Sequence, residues 1–406
     1  MNILQKAYNG LFGKRELVKA ERNRLGGVSY SFLDGEGFVN SDKYLDISLT
    51  NPVLMTVILL RARLYSQMEI KHVNSNGEEV KNSPYTKLLK QPNFFQSQED
   101  FLFQQMWFLS ATGNDLMYQI KAFTNDVPKA LYNLIPSEID FKKTQKINKF
   151  ITTDKDKKAF GEQEIEYKLD NQTYKIKLSE IIPLYDIANG LECNSFFHSP
   201  SRVQGISKVL ENIEQNLKSK NKNLQFSAKY IGMNKSTGNE GQILPDDKKA
   251  IEKVLSSKDV LTTNRNIEYK HLVSDMKRLF LDEQYAEDAN KVLLAFEMNK
   301  NVLNYFSKDS TFENQSEGII SYIQNSVQTT AKNTMASLSA QWGLIEKGEI
   351  LKASYDHLAV MQGVVNEKIK SFNEMQVAIK AGLENGTLSQ DEAKKMSDAF
   401  KLKLEL

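Results

Sequence analysis

The sequence has one cysteine, Cys193, in 406 residues. A disulfide scaffold and a four-cysteine zinc site are therefore excluded, and a reducing compartment is expected. Reactive thiols need an electropositive setting. None surrounds Cys193 in the sequence, so it reads as an inert loop thiol. Charge of one sign is also lacking. Lys+Arg is 53 and Asp+Glu is 51, a formal net charge of +2. Proteins that read DNA sequence carry a basic excess or stripe, so any nucleic-acid contact here is local or tolerant. Long apolar runs are missing too. The longest, residues 53–60, is interrupted by Thr56 and closed by Arg61 and Arg63. A membrane span needs ~20 such residues, and no secretory pattern opens the chain. The expectation is a soluble protein without a membrane partner.

Catalytic signatures are equally scarce. Gly10-Leu11-Phe12-Gly13-Lys14 lacks the four-residue gap of a nucleotide-binding phosphate loop. No Gly-x-Ser-x-Gly elbow occurs. The histidines His72, His198, His271 and His357 stand far apart, whereas metal sites need several converging ligands. The expectation is no catalytic residue, no metal and no cofactor.

Apolar residues make up 40% and aromatics 10%, enough for packed cores in two or three domains or in one elaborated domain with insertions. Residues 1–50 read as loosely organised. Asn51-Pro52 predicts a helix start, because Asn accepts from free N–H groups and Pro fits the first turn; the helix runs over 52–66. Residues 68–73 alternate as a strand, Asn76-Gly77 turns the chain, and Val80 begins a return. A short helix over 84–89 and a strongly apolar one over 97–111 follow, the second ended by Gly113-Asn114. Strands are predicted over 116–123, 130–135, 164–169 and 173–178. Between them lie Lys142, Lys143, Lys146, Lys149, Lys155, Lys157 and Lys158. With Asp154 and Asp156 interspersed, these read as a solvated loop; a phosphate-contacting patch is the alternative.

From Pro200 the pattern becomes helical. Val203, Ile206, Leu210, Ile213, Leu217 and Leu224 are spaced as a heptad seam with one position missing, near Lys220. A single helix over 200–229 would be about 45 Å long. Residues 231–272 interrupt it with glycines, a short helix over 245–255 and a strand over 266–272. Helix resumes over 274–305, breaks over 306–315, and resumes over 316–342, with Ile319, Ile323, Val327, Ala331, Met335 and Leu338 on one face. A further helical set holds Leu358, Met361, Val365, Phe372, Met375 and Ile379. Ser389-Gln390-Asp391-Glu392 is a capping box that opens a last helix.

One block carries a resemblance. Ser83-Pro84-Tyr85-Thr86-Lys87-Leu88-Leu89-Lys90-Gln91-Pro92-Asn93, then the apolar helix, then Thr112-Gly113-Asn114, then Leu131-Tyr132-Asn133-Leu134-Ile135-Pro136-Ser137, is similar to the ordered motifs of tailed-bacteriophage portal proteins. Phe197-His198-Ser199-Pro200 resembles the loop before the family's stem, although the usual Gly-x-Ser-Pro is only partly present. The Val-Pro that follows the second stem helix in the family is replaced by Met298-Asn299-Lys300.

The resemblance implies an α+β portal fold. An N-terminal segment (1–50) would precede a mixed α/β wing (51–199). Stem helices (200–230 and 273–305) would flank a small α/β clip (231–272). A tunnel loop (306–315), a wing helix (316–350) and a helical crown (351–406) would complete it. It further implies a ring of this chain, twelve copies being common, at one capsid vertex, with assembly in the host cytoplasm. The implied partners are double-stranded DNA, the terminase packaging motor, the major capsid protein and a head-completion adaptor. Ser307, Lys308, Ser310 and Thr311 would face DNA in the tunnel loop. Lys218, Lys220 and Lys222 are basic candidates near the clip, with solvated or acid-paired lysines as the plain alternative. Two other readings stand beside this one. A different structural head or tail component would differ in ring size and position. A nucleic-acid enzyme with dispersed acids would show metal-dependent cleavage.

Overall fold

The computed structural model describes residues 41–121, 127–140, 153–169, 172–187, 199–226, 230–234, 267–271, 281–303, 312–385 and 387–404. They form two compact units. One takes Asn51–Leu54 and Gly205–Ala295; the other takes 41–50, Met55–Gln204 and Phe296–Leu406.

The larger unit begins with α1 (Ser41–Thr50) and resumes at Met55 within α2 (Pro52–Ser66). Asn51 caps α2 as its sequence suggests: its Oδ1 accepts from Val53 N at 3.2 Å and Leu54 N at 3.1 Å. Val57, Ile58, Ala62 and Tyr65 of α2 are buried at helical spacing. Then come β1 (Glu69–Val73), α3 (Pro84–Lys90), α4 (Gln98–Thr112), β2 (Asn114–Ile120), β3 (Ala130–Leu134), β4 (Ile139–Asp140) and α5 (Asp154–Gly161). The chain continues through β5 (Glu164–Leu169), β6 (Gln172–Lys177), β7 (Ile181–Tyr185) and the single turn α6 (Arg202–Gly205).

α4 starts in a reciprocal capping box. Ser97 Oγ accepts from Asp100 N, and Asp100 Oδ2 accepts from Ser97 N. It ends at Gly113, whose φ of +80° is the left-handed cap that glycine adopts without penalty. Its Phe101, Leu102, Met106 and Leu109 are buried, each worth about 1.5–3 kcal/mol relative to exposure. Strand order is β3-β2-β7 in one antiparallel sheet and β4-β5-β6 in another. Leu116, Leu134, Ile139, Ile165, Tyr167, Ile176, Leu178 and Ile181 form a continuous apolar cluster under these strands.

The smaller unit holds α7 (Ser207–Phe226), the hairpin β8 (Tyr230–Asn234) with β9 (Ile267–His271), and α8 (Leu281–Ala295). The larger unit then resumes with α9 (Phe312–Tyr322), a π turn (Ile323–Val327), α10 (Gln328–Gln341), β10 (Ile350–Ser354), α11 (Gln362–Glu384) and α12 (Gln390–Leu404). The Ser389 box opens α12: Ser389 N donates to Glu392 Oε2 at 3.0 Å, and Glu392 N to Ser389 Oγ at 3.3 Å.

Several expectations change. Residues 41–50 are helical. The lysine-rich stretch contains α5, capped by Thr153, whose Oγ1 accepts from Asp156 N at 3.2 Å. The single helix over 200–229 is instead α6 and α7, broken at Gly205 and Ile206. Glycine disfavours helix interiors, and the 20 residues of α7 span about 30 Å. The second long helix ends at Ala295, short of residue 305. Glu297 takes φ +59°, and Asn299 Oδ1 accepts from Asn301 N at 3.2 Å to cap a new 3-10 turn, Lys300–Val302. The expected break over 306–315 is already helical from Phe312.

The helix expected over 316–342 carries the π turn. Its buried Ile323, Val327, Ala331 and Met335 recur every four residues, a spacing that drifts off one face of an ideal α-helix. An i→i+5 turn takes in one more residue and corrects the drift; Gln328 N donates to Ile323 O there. Residues 350–354 are a strand, not helix, paired antiparallel with β1 from Glu69↔Ser354 to Val73↔Ile350. The return at Val80 is a single antiparallel bridge, Val73 to Glu79, made by Val80 N to His72 O at 2.8 Å and Asn74 N to Glu78 O at 2.9 Å, not a strand. Cys193 and the helix over 245–255 lie outside the described residues.

Candidate functional site

The helix pair of the smaller unit is the first candidate. Along the predicted seam, Val203, Leu210 and Ile213 are buried and Ile206 is half-buried. Leu217 is 37% exposed, and Asn216 is buried in its place. The buried stripe of α7 thus steps from 213 to 216 and continues to the half-buried Lys220, the position where the heptad is interrupted. Lys220 pairs there with Asp282 of α8, and its ammonium lies 5.3 Å from the Tyr285 ring centre, within cation–π range. Lys218 Nζ is 2.5 Å from Glu214 Oε1 one turn back. Both lysines carry acidic partners within this chain. The side chains of Lys222 and Leu224 fall outside the described ones, as do Ser307, Lys308, Ser310 and Thr311 entirely.

A second site was not anticipated from the sequence. In the larger unit, the guanidinium of Arg61 is fully buried and donates to Asp186 Oδ1 at 2.6 Å, Ser110 Oγ at 3.3 Å and Thr330 Oγ1 at 3.4 Å. Asp186, at the end of β7, also accepts from Arg202 Nε at 2.5 Å. Arg202 Nη1 in turn donates to Glu297 Oε1 at 2.9 Å. The Phe296 ring lies 5.8 Å from the Arg61 guanidinium and 5.9 Å from that of Arg202.

The electrostatics follow from burial and pairing. Burial opposes charge on Arg61, but Asp186 outweighs it, so the guanidinium holds its proton more tightly than usual. Burial would raise the Asp186 carboxyl; Arg61 and Arg202 overcome this and hold it below the usual carboxylate range. Glu297 is likewise pushed up by burial and pulled lower by Arg202. Burial pushes the nearby Tyr322 phenol up to about 12. Arg61, Asp186, Glu297 and Tyr322 are thus each held in one charge state near neutral pH. This is a rivet, not an acid–base site. Arg202 precedes α7 in the chain and Glu297 follows α8. Their pair therefore joins the two points where the chain leaves the larger unit and returns to it. The sequence signal was Arg61 itself, a cation in phase with the apolar Val57, Ile58, Ala62 and Tyr65.

The motif residues also find their reasons. Gly113 lies against the Ser199-Pro200 backbone: a Cβ there would sit 2.5 Å from Pro200 O. Asn114 Nδ2 donates to Ser199 O at 2.9 Å, Ser199 N to Asn114 Oδ1 at 2.7 Å, and Ser201 Oγ to Ala111 O at 2.7 Å. Thr112-Gly113-Asn114 is thus the seat for the Ser199-Pro200-Ser201 loop that opens α6. Among the described residues, no group of three or more His, Cys, Asp or Glu side chains could hold a metal. No single helix there is long and apolar enough to cross a membrane.

A family model described as phage portal protein matches residues 52–398. The chain belongs to the phage portal protein family. Its fold is similar to solved structures of low identity. One is the neck of a native GTA particle computed with C12 symmetry, at 14% identity over 88% of this chain and 93% of that one, with a TM-score of 0.58. Another is the virion of a native gene transfer agent particle, at the same identity and coverage and a TM-score of 0.60. A third is an HK97 family phage portal protein from Corynebacterium diphtheriae, at 12% identity over 76% of this chain and 93% of that one, with a TM-score of 0.50. No curated protein matches the sequence. The α+β portal fold expected from the 83–137 motifs is the fold of this family member.

Proposed function

We propose that this chain is one subunit of a ring at a single capsid vertex, the conduit through which double-stranded DNA is packaged and ejected. The observation that carries this is the portal-family match over residues 52–398. A C12-symmetric neck among the similar structures supports twelve copies. In such a ring each subunit offers two unlike faces, and the contacts close when the rotation divides a full turn.

The larger unit apart from α11 and α12 is the wing, α7 and α8 the stem, the β8–β9 hairpin part of the clip, the segment before Phe312 the tunnel loop, and α11 with α12 the crown. A conduit must not hold its cargo, since each fixed phosphate contact adds affinity. The balanced charge of +2 suits that need, as do lysines neutralised by Glu214 and Asp282. Ser307, Lys308, Ser310 and Thr311 would then meet DNA transiently. Nothing in the family assignment calls for catalysis, so ATP hydrolysis falls to a terminase motor docked at the clip. The major capsid protein and a head-completion adaptor bind the remaining surfaces. The ring assembles in the host cytoplasm and ends at the portal vertex of the virion.

Native mass spectrometry of the purified full-length chain tests the reading. One closed stoichiometry, twelve or a neighbouring number, is expected. A ladder of open chains, or only monomers across micromolar concentrations, would overturn it.

A further inference from the structure

Phe94 and Phe95 are 86% and 81% exposed, more than any other large hydrophobic side chain among the described residues. Two neighbouring phenylalanines in water are costly, and the loop that carries them is not loose. Asn93 is buried below them. Its Oδ1 accepts from Phe95 N at 2.9 Å and Gln96 N at 3.0 Å, and its Nδ2 donates to Leu131 O at 3.0 Å and Gln96 Oε1 at 2.8 Å. Leu131 N donates to Pro92 O at 2.7 Å, and Gln96 Nε2 donates to Gln104 Oε1 at 2.9 Å. The Ser97–Asp100 box fixes the other end. The rings meet edge to face, their centres 5.3 Å apart. This backbone is clamped so as to hold two rings outward.

We propose that Phe94 and Phe95 form the apolar centre of the contact between neighbouring copies of this chain. The proposal rests on the ring reading above. A phenylalanine exposes on the order of 200 Å² of surface, so the pair offers about 300 Å² as one patch. A stable interface buries about 800 Å² per partner, and the pair supplies over a third of that. Lys90, Gln91, Glu99 and Asp100 surround it in sequence and are exposed, giving the polar rim that interfaces place around an apolar centre. In a head-to-tail ring the patch needs no copy of itself opposite, only a different surface of the next subunit. Pre-organisation by Asn93 removes the ordering cost that a loose loop would incur on binding.

Two experiments on the full-length chain test this. In the first, Phe94→Ser and Phe95→Ser are combined, and assembly is followed by mass photometry across a concentration series. Aromatic anchors dominate interface energies, so the half-assembly concentration should rise roughly tenfold to a hundredfold, with an unchanged circular-dichroism melt of the monomer. An unshifted half-assembly concentration overturns the proposal while leaving the ring reading intact. A parent chain that forms no rings at all overturns both.

In the second, a photoreactive benzoylphenylalanine replaces Phe95 and the assembled protein is irradiated. Covalent dimers of the chain are expected, with the cross-linked peptide lying outside residues 92–97. Cross-links confined to a co-assembled capsid protein, or within one chain, contradict the assignment.

Discussion

The buried rivet makes the sharpest prediction about stability. Arg61→Met keeps the apolar stem of the side chain in α2 but removes its charge. Asp186, fully buried, is then left with Arg202 alone, and the Ser110 and Thr330 hydroxyl oxygens lose their shared donor. Removing one partner of a buried pair costs about 3–5 kcal/mol. Because Arg202 still neutralises part of the charge, the lower end, about 3 kcal/mol, is expected. Both tryptophans, Trp107 and Trp342, lie in the larger unit, so urea denaturation followed by tryptophan fluorescence reads that unit. The comparison is made at fixed chain concentration, since assembly shifts apparent stability. Adding Asp186→Leu removes the stranded carboxylate, so the double variant should cost at least ~2 kcal/mol less than the sum of the singles. The loss should also barely depend on salt, because buried pairs are poorly screened. An Arg61→Met cost under ~1 kcal/mol, or an additive double variant, would refute the reasoning.

Other outcomes follow from the same geometry. Burial pushes the Asp115 carboxyl well above its usual range, partly offset by Gln105. The folded state therefore keeps a proton that the unfolded chain gives up above pH ~4, and stability falls as pH rises from there. Asp115→Asn should thus stabilise by at least ~1 kcal/mol at pH 7 and by nothing at pH 3, read from paired thermal melts. Gly113→Ala combines a left-handed φ with a 2.5 Å approach to Pro200 O. It should cost more than ~2 kcal/mol and loosen the Ser199 loop, visible as faster amide exchange at Ser199. Lys308→Ala should alter DNA packaging or retention in an in vitro packaging assay while rings still form; loss of rings would count against a channel-facing role.

What the sequence discloses here is mostly local chemistry. Asn51, Ser97, Gly113 and Ser389 announce helix ends because each cap is decided within three or four residues. The seam on α7 is legible for the same reason, as is its interruption at Lys220. The partners that give structure its long-range sense are not. β1 pairs with β10 across most of the chain, and five alternating residues at 350–354 look no different from a helix entry. Arg61 and Asp186 are 125 residues apart, and nothing in either neighbourhood names the other. The break at Gly205 was hidden because apolar spacing continues across it. The rivet has a trace, one arginine on an apolar helix face, but its acidic partner shows only in the fold.

The account stands on a closed ring threaded by the helix pair. Cryo-electron microscopy of the purified chain measures this most directly. The map should show one rotational symmetry, a central opening wide enough for duplex DNA, and α7 and α8 of every subunit around its narrow part. Particles without a bore, or rings whose α7 and α8 lie on the outer rim, would contradict it.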